Sequence, residues 1–193
     1  MEGESKKMYK ECEWLPELIK IPYEIESEES KNYLYSFYLK DLKQSTIIYQ
    51  GKEVKFRKHP ECEGKEEAFF HIIAGLNYPR DRIVTERAQR LLWGKAIIEN
   101  TPCKCVCCNE KVQVWQQPQT NPKQCRRYKL YMDKRRYVVV LEERADFWLY
   151  ITSFYVNNSQ ERRNFLKEYH DFSQTQRLND LRKTCLLYTS DAA

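Results

Sequence analysis

The stretch from Lys111 to Val156 constrains the fold more than any other part of the chain. It contains four short runs rich in Val, Ile, Tyr, Trp and Phe, and these are Val112–Trp115, Arg126–Met132, Arg136–Glu142 and Phe147–Val156. β-branched and aromatic residues are enriched in strands, and short polar breaks between such runs indicate hairpins. The pattern therefore predicts an antiparallel meander of four strands, with a basic first half and an aromatic, Thr-bearing last strand.

Helices are predicted on both sides of this meander. The segment 65–73 predicts a helix that ends near Gly75, and Thr85 is a candidate cap of a second helix, which Pro102 stops. After the meander, Ser159 begins a charged helix with an apolar stripe. We therefore predict an α+β fold in which N-terminal helices precede a four-stranded antiparallel sheet and a C-terminal helix. A short hairpin around Gly51 is predicted before the first of these helices.

Length and composition limit the classes of protein to consider. The 193 residues suit one domain, which we place at 46–172 between an acidic leader (1–45) and a tail (173–193). The tail ends in residues 186–193, which resemble translated adaptor sequence and are left out of the fold prediction. With only five glycines and no GxGxxG or GK[ST] motif, no Gly-rich phosphate loop is expected. The sequence lacks a run of the ~18 apolar residues that a membrane span needs, so we predict a cytoplasmic protein.

The net charge of +5 is unevenly distributed. Residues 1–30 hold nine glutamates and four lysines, so 29 basic and 19 acidic side chains remain in the rest of the chain. A basic body favours a polyanionic partner such as a nucleic acid. A solubilising charged surface explains the charge equally well.

Histidine is the residue type most often used for acid-base chemistry near neutral pH, and the chain has only three. One of them, His71, interrupts the apolar run 68–73. Taken alone, this pattern is more typical of a core histidine bonded to the backbone. Two groups of arginines flank it in the sequence: Arg80, Arg82, Arg87 and Arg90, and Arg126, Arg127, Arg135 and Arg136. Because guanidinium groups bind phosphate bidentately, the combination suggests a phosphodiester site.

Several motifs point to the same interpretation when they are taken together. They are Phe70-His71-Ile72-Ile73, Arg87-x-x-Arg90 with Trp93, Ile97–Asn100, Tyr137–Arg144 and Ile151–Val156. In combination they resemble the phage-associated members of the barnase/EndoU/colicin/RelE-like (BECR) RNase group. The resemblance covers the domain at 46–172 and leaves the acidic leader unexplained. It implies a small α+β fold in which helices come first and a curved antiparallel sheet carries the active site.

The resemblance also implies a reaction and the residues that perform it. RNases of this group cut RNA without a metal, by attack of the ribose 2′-hydroxyl on the neighbouring phosphate to leave a 2′,3′-cyclic phosphate. The implied catalytic residues are His71, Arg87, Arg90, Arg136, Thr152 and Tyr155. The histidine would be the acid/base, the arginines would hold the phosphate, and the threonine and tyrosine would position or polarise the reacting groups. A threonine in a strand also fits β-propensity alone.

Further residues are predicted to bind the RNA. They are Arg80, Arg82, Arg126, Arg127, Lys129, Arg135 and Trp148. The arginines and the lysine would contact phosphates. The tryptophan and Tyr155 are either stacking platforms for unpaired bases or part of the sheet packing.

The loop that leads into the meander is rich in cysteine, and one more cysteine follows the first predicted strand. Cys103, Cys105, Cys107, Cys108 and Cys125 lie within 23 residues, and the 105–108 pair has C-x₂-C spacing. A structural zinc bound by Cys103, Cys105, Cys108 and Cys125 is one hypothesis, with Cys107, Cys62 or His59 as other candidates for the fourth ligand. Because a second C-x₂-C pair is absent, reduced loop thiols are the favoured alternative. The catalysis described above requires no cofactor.

The sequence is therefore compatible with three functions. The first is a toxin-type endoribonuclease that acts on tRNA, mRNA or rRNA and is restrained by an antidote. The second is a non-catalytic phage inhibitor or adaptor, for example an anti-CRISPR protein, that binds a nucleoprotein complex. The third is a zinc-stabilised nucleic-acid-binding module. None of them involves a membrane.

Overall fold

A computed structural model describes residues 14–75, 82–102, 111–119 and 124–190, with side chains up to residue 180. The strands are β1 (Ile48–Tyr49), β2 (Lys52–Phe56), β3 (Gln113–Gln116), β4 (Arg127–Met132), β5 (Tyr137–Glu143) and β6 (Phe147–Tyr155). The α-helices are α1 (Glu28–Phe37), α2 (Glu67–Ile73), α3 (Thr85–Ala88), α4 (Trp93–Glu99) and α5 (Ser159–Ser190), and a π-helical segment (Tyr38–Lys43) follows α1. In this part of the chain no helix combines the length and the apolar character that crossing a membrane requires.

The strands form one mixed sheet in the order β1-β2-β6-β5-β4-β3, which curls into a half-barrel. The α+β class, the antiparallel meander β3–β6 and the C-terminal helix are confirmed. The prediction of a sheet with four antiparallel strands is wrong, because the β1–β2 hairpin joins the meander. The register runs from Glu53 opposite Phe147 to Phe56 opposite Tyr150, with β2 parallel to β6. Local sequence patterns indicate strands but do not report pairing between strands so far apart in the chain.

Each face of the sheet is covered by a different set of helices. On one face, buried residues of α1, α2 and α4 pack on β5 and β6, as Leu34, Phe69 and Ile97 illustrate. On the other face, α5 packs on β3 and β4, where Phe165 lies 5.9 Å from the Trp115 ring centroid. Each such side chain stabilises the fold by about 1.5–3 kcal/mol when it is fully buried. Helices therefore cover both faces of the sheet.

The segment predicted as a leader contributes to this core in its described part, residues 14–45. Ser27 caps α1 by accepting a hydrogen bond from the backbone nitrogen of Ser30 at 3.2 Å. Tyr38 is fully buried and donates to Glu66 Oε2 at 2.7 Å. The other oxygen of that carboxylate lies 2.6 Å from Lys43 Nζ. This network anchors the N-terminal helical segments to the residue immediately before α2.

Strand β6 changes its neighbours part-way along its length. Its pairing with β2 ends at Tyr150, and α2 and α3 contact the strand as well. The register between β5 and β6 shifts between Val140 and Leu141, which leaves Ile151 as the extra residue of a β-bulge. A bulge bends its strand and re-aims the side chains around it.

Gly94 in α4 packs directly against Tyr150. A Cβ atom at Gly94 would lie 2.3 Å from Tyr150 Oη, well inside contact distance. Tyr150 is only 2% exposed and its ring centroid lies 4.9 Å from that of Phe56, so the side chain has little room to move. We expect Gly94→Ala to lower the free energy of unfolding by about 1–3 kcal/mol, despite the higher helix propensity of alanine.

Denaturant unfolding followed by circular dichroism measures the Gly94 effect. Lys95→Ala is the matched control, because it changes the next residue of the same helix and should alter stability by no more than about 0.5 kcal/mol. Equal stability of Gly94→Ala and the wild type would contradict the close packing of α4 on β6.

Candidate active site

A cleft of about 80 Å³ opens between α2 and the sheet. Its lining comes from the segment after β2, from α2, and from β4 and β6: Arg57, Glu67, Ala68, His71, Arg127, Tyr150 and Ile151. The bulged residue of β6 is thus one of the lining residues. Side chains four positions apart lie on the same face of a helix, so α2 presents Glu67 and His71 to the cleft together.

Glu67 and His71 form a carboxylate–imidazole pair. His71 Nε2 lies 3.2 Å from Glu67 Oε1, and the two side chains are 17% and 11% exposed. Such a carboxylate orients the ring and stabilises the positive charge that appears on it during proton transfer. The pair is therefore arranged as an acid-base group that can still be reached from the cleft.

Two arginines from distant parts of the chain flank this pair. Arg57 Nη1 lies 3.7 Å from Glu67 Oε1, and the Arg57 side chain is 49% exposed. Arg127 Nε lies 2.9 Å from Glu142 Oε2, and the Arg127 side chain is 46% exposed. Both side chains line the cleft and remain partly exposed, so each can offer a guanidinium group to an anion there.

Arg87 holds the end of α2 against β6. Its Nε donates to the carbonyl oxygen of Ile72 at 2.9 Å, and its Nη2 donates to the carbonyl oxygen of His71 at 2.5 Å. The same Nη2 donates to Thr152 Oγ1 at 2.8 Å. Carbonyl groups at the end of a helix lack partners within the helix, so the guanidinium group acts as a side-chain cap. The structure thus brings Arg87 and Thr152 to the main chain of His71.

Gly75 provides the space for this cap. Its φ of 87° lies in the left-handed region, in agreement with the predicted end of the helix near this residue. A Cβ atom there would lie 3.3 Å from Arg87 Cζ. Glycine suits this position for two reasons: it adopts the left-handed backbone conformation, and it leaves room for the guanidinium group.

Arg90 and Tyr155 meet in a second cluster. Arg90 Cζ lies 4.8 Å from the Tyr155 ring centroid and 5.1 Å from that of Trp93. Arg90 Nη1 also donates to the carbonyl oxygen of Glu86 at 2.9 Å. Contacts of this kind between a cation and aromatic rings stabilise the pair and orient the guanidinium group. Arg90 and Tyr155 are not among the residues that line the cleft.

Two tyrosines of the sheet, Tyr137 and Tyr150, have buried hydroxyl groups. Tyr137 Oη donates to Ser153 Oγ at 2.8 Å and lies 3.2 Å from the carbonyl oxygen of Arg90. Burial raises the pKa of Tyr137 to about 12. Burial also raises the pKa of Tyr150 far above its ordinary value. Both phenols therefore stay protonated near neutral pH and are unsuited to act as bases.

Two of the residues predicted to bind RNA are buried. Trp148 is 3% exposed and its ring packs between Tyr49 and Tyr128, with centroid distances of 5.2 and 5.3 Å. Lys129 is 7% exposed and its Nζ lies 2.7 Å from Glu168 Oε2, under α5. Neither side chain presents a surface to RNA, and we remove both from the predicted RNA-binding set. The curl of the sheet and the docking of α5 explain the difference from the sequence-based prediction.

The other predicted residues occupy varied positions. Arg136 lies in the turn between β4 and β5, at the opposite end of β4 from Arg127, and its φ is 50°. Arg126 is exposed just before β4, and Arg135 is half-buried in the same turn as Arg136. Arg82 is 61% exposed, and its Nε lies 3.8 Å from Glu26 Oε1. Arg80 lies outside the described residues.

The predicted zinc site falls mainly on residues that the structure does not describe. Cys103, Cys105 and Cys108 lie outside the described residues, and Cys125 is half-buried. Among the residues from 14 to 190 that are described, no three or more His, Cys, Asp or Glu side chains form a group that could hold a metal ion. The zinc site therefore stays a prediction.

Two charged residues of the cleft, Arg57 and Glu67, were not predicted from the sequence. Glu67 lies four positions before His71 on a predicted helix, and that spacing was a usable signal. Arg57 gave no local signal, because only the pairing of β2 with β6 brings it to the cleft. Comparison of this chain with protein-family models, with curated proteins and with solved structures finds no match.

Proposed function

We propose that this chain is a metal-independent endoribonuclease of the toxin type, of the BECR kind, that acts at the cleft between α2 and the sheet. The observation that supports the proposal is the meeting of four side chains from three parts of the chain: Arg57, Glu67, His71 and Arg127. An imidazole paired with a carboxylate supplies proton transfer, and two accessible guanidinium groups supply anion binding. These are the two requirements of RNA cleavage without a metal.

The proposed reaction uses each of these groups once. His71 takes the proton of a ribose 2′-hydroxyl, and Glu67 stabilises the resulting imidazolium. The 2′ oxygen attacks the adjacent phosphorus, the bond from phosphorus to the 5′ oxygen breaks, and a 2′,3′-cyclic phosphate forms. The departing 5′ oxygen takes a proton from water, and His71 returns its own proton to solvent. Arg57 and Arg127 stabilise the charge that builds on the non-bridging oxygens.

The residues of the α2 cap take a supporting role in this proposal. Arg87 and Thr152 contact the carbonyl oxygen of His71, at 2.5 and 3.4 Å, and so fix the backbone that carries the imidazole. We assign them to positioning rather than to phosphate binding. The proposed substrate is tRNA, mRNA or rRNA in the cytoplasm, and an antidote is the proposed restraint.

Sequencing of RNA ends after incubation with the purified protein tests the proposal. We expect new ends that carry a 2′,3′-cyclic phosphate, with the same yield in excess EDTA, because no step uses a divalent metal. Enzymatic ligation that requires a cyclic phosphate identifies the end chemistry directly. If RNA is bound but stays intact, the nuclease proposal fails and a non-catalytic inhibitor or adaptor of a nucleoprotein complex takes its place.

A further inference from the structure

We infer that Arg144 forms a second phosphate subsite beside the cleft, coupled to Arg127 through Glu142. The consequence is that the chain recognises two neighbouring phosphates of one strand rather than a single phosphodiester. The inference deepens the proposed function and rests on it for the identity of the strand. Of the three residues involved, Arg144 and Glu142 have no role in the catalytic scheme.

One carboxylate joins the two arginines. Arg127 Nε contacts Glu142 Oε2 at 2.9 Å, and Arg144 Nη2 contacts the other oxygen, Oε1. Because each nitrogen is one hydrogen bond from the same carboxylate, the two nitrogens lie within about 8 Å of each other. The Glu142 side chain is only 7% exposed, so its position is fixed by the surrounding sheet.

The charges of this group favour an anion. Two guanidinium groups and one carboxylate leave a net positive charge, and the carboxylate is the buried partner. The side chains of Arg127 and Arg144 are 46% and 39% exposed. A guanidinium group has five N–H donors, and the contact with Glu142 uses one in each arginine. Arg144 Nε is buried, so the donors that remain for phosphate oxygens are those on the terminal nitrogens of Arg144 and on Arg127, which lines the cleft.

The backbone around Arg144 is held in place. Its nitrogen donates to the carbonyl oxygen of Phe147 at 3.0 Å, which closes the turn between β5 and β6. Its carbonyl oxygen accepts a hydrogen bond from Lys52 Nζ at 3.2 Å, and this brings a further positive charge to the same end of the sheet. The carboxylate of the neighbouring Glu143 lies 3.4 Å from Tyr128 Oη, so its hydrogen-bond partner differs from those of Glu142. This end of the sheet therefore holds Lys52 beside Arg144, while the exposed Asp146 of the same turn adds a negative charge.

A 2′-O-methyl RNA trinucleotide tests the subsite, because it has two phosphates and cannot be cleaved by the proposed reaction. Binding is measured by NMR titration of the full-length protein with the trinucleotide and with two analogues, each with a neutral methylphosphonate at one phosphate. We expect Arg144→Ala to weaken binding of the charged trinucleotide about tenfold. With the analogue that is neutral at the phosphate bound by Arg144, the same substitution should have no effect. With the other analogue it should still weaken binding.

Control variants separate this result from general electrostatics. Arg163→Ala removes one positive charge from α5 and should leave binding unchanged for all three ligands. Arg127→Ala should show the opposite dependence on the two analogues. An Arg144→Ala effect that is equal for both analogues, or absent for the charged trinucleotide, overturns the inference. If the wild type cleaves no RNA and the Arg144 effect still depends on one phosphate, the subsite stands and the nuclease proposal falls.

Discussion

Replacement of His71 by alanine should lower the rate of RNA cleavage by about 10²–10⁴-fold, the usual contribution of a general acid or base. The imidazole is the group in the cleft that is suited to take a proton near neutral pH, and the buried tyrosines near it have raised pKa values. Because the ring is only 17% exposed and pairs with Glu67, its removal should also lower folding stability. Initial rates on a defined RNA, measured together with thermal unfolding, separate the two effects.

His170→Ala is the matched control, since the His170 side chain lies on α5 and is 67% exposed. Its cleavage rate should equal that of the wild type. Glu67→Gln keeps the size of the side chain but removes its charge, so we expect a smaller loss of rate and an altered dependence of the rate on pH. Full activity of a correctly folded His71→Ala protein would show that the cleft is not the reaction site.

The parts of the fold that follow from local patterns were predictable from the sequence. β-branched and aromatic runs separated by polar breaks indicated the meander, and the segment 65–73 before Gly75 indicated α2. The pairing of β2 with β6 was not predictable, because the sequence of a hairpin does not indicate which distant strand it will pair with. As a result, the four-stranded sheet was wrong and Arg57 was missed at the cleft.

The candidate site was predictable to a different extent. His71 was found because one polar ring interrupts an apolar run, and Arg127 because it belongs to a basic run. Sequence patterns do not show which hydrogen-bond partner each guanidinium group has in the folded protein. Arg87 donates to main-chain carbonyl groups, which every residue carries, whereas Arg127 faces the cleft. The arginine composition of a site is therefore easier to predict than the division of its arginines into ligand-binding and structural ones.

Arg87→Ala gives the second large expected effect, and it separates these two kinds of arginine. The substitution removes donors to Ile72, His71 and Thr152 and leaves the carbonyl groups at the end of α2 without that cap. At about 0.5–1.5 kcal/mol for each hydrogen bond, or more because the donor is charged, we expect the free energy of unfolding to fall by about 2–4 kcal/mol. Denaturant titration followed by circular dichroism measures this loss.

Thr152→Val is the matched variant, because it keeps the shape of the strand residue but removes the hydroxyl group that accepts from Arg87 and donates weakly to the His71 carbonyl oxygen. It should cost about 1 kcal/mol, so the guanidinium group accounts for most of the effect at this cap. Arg127→Ala, at the cleft, should show the reverse balance, with a loss of about 10²–10³ in cleavage rate and a smaller loss of stability, because Arg144 still pairs with the buried Glu142. An Arg87→Ala protein that is as stable as the wild type yet inactive would contradict the assignment to positioning and restore Arg87 as a phosphate ligand.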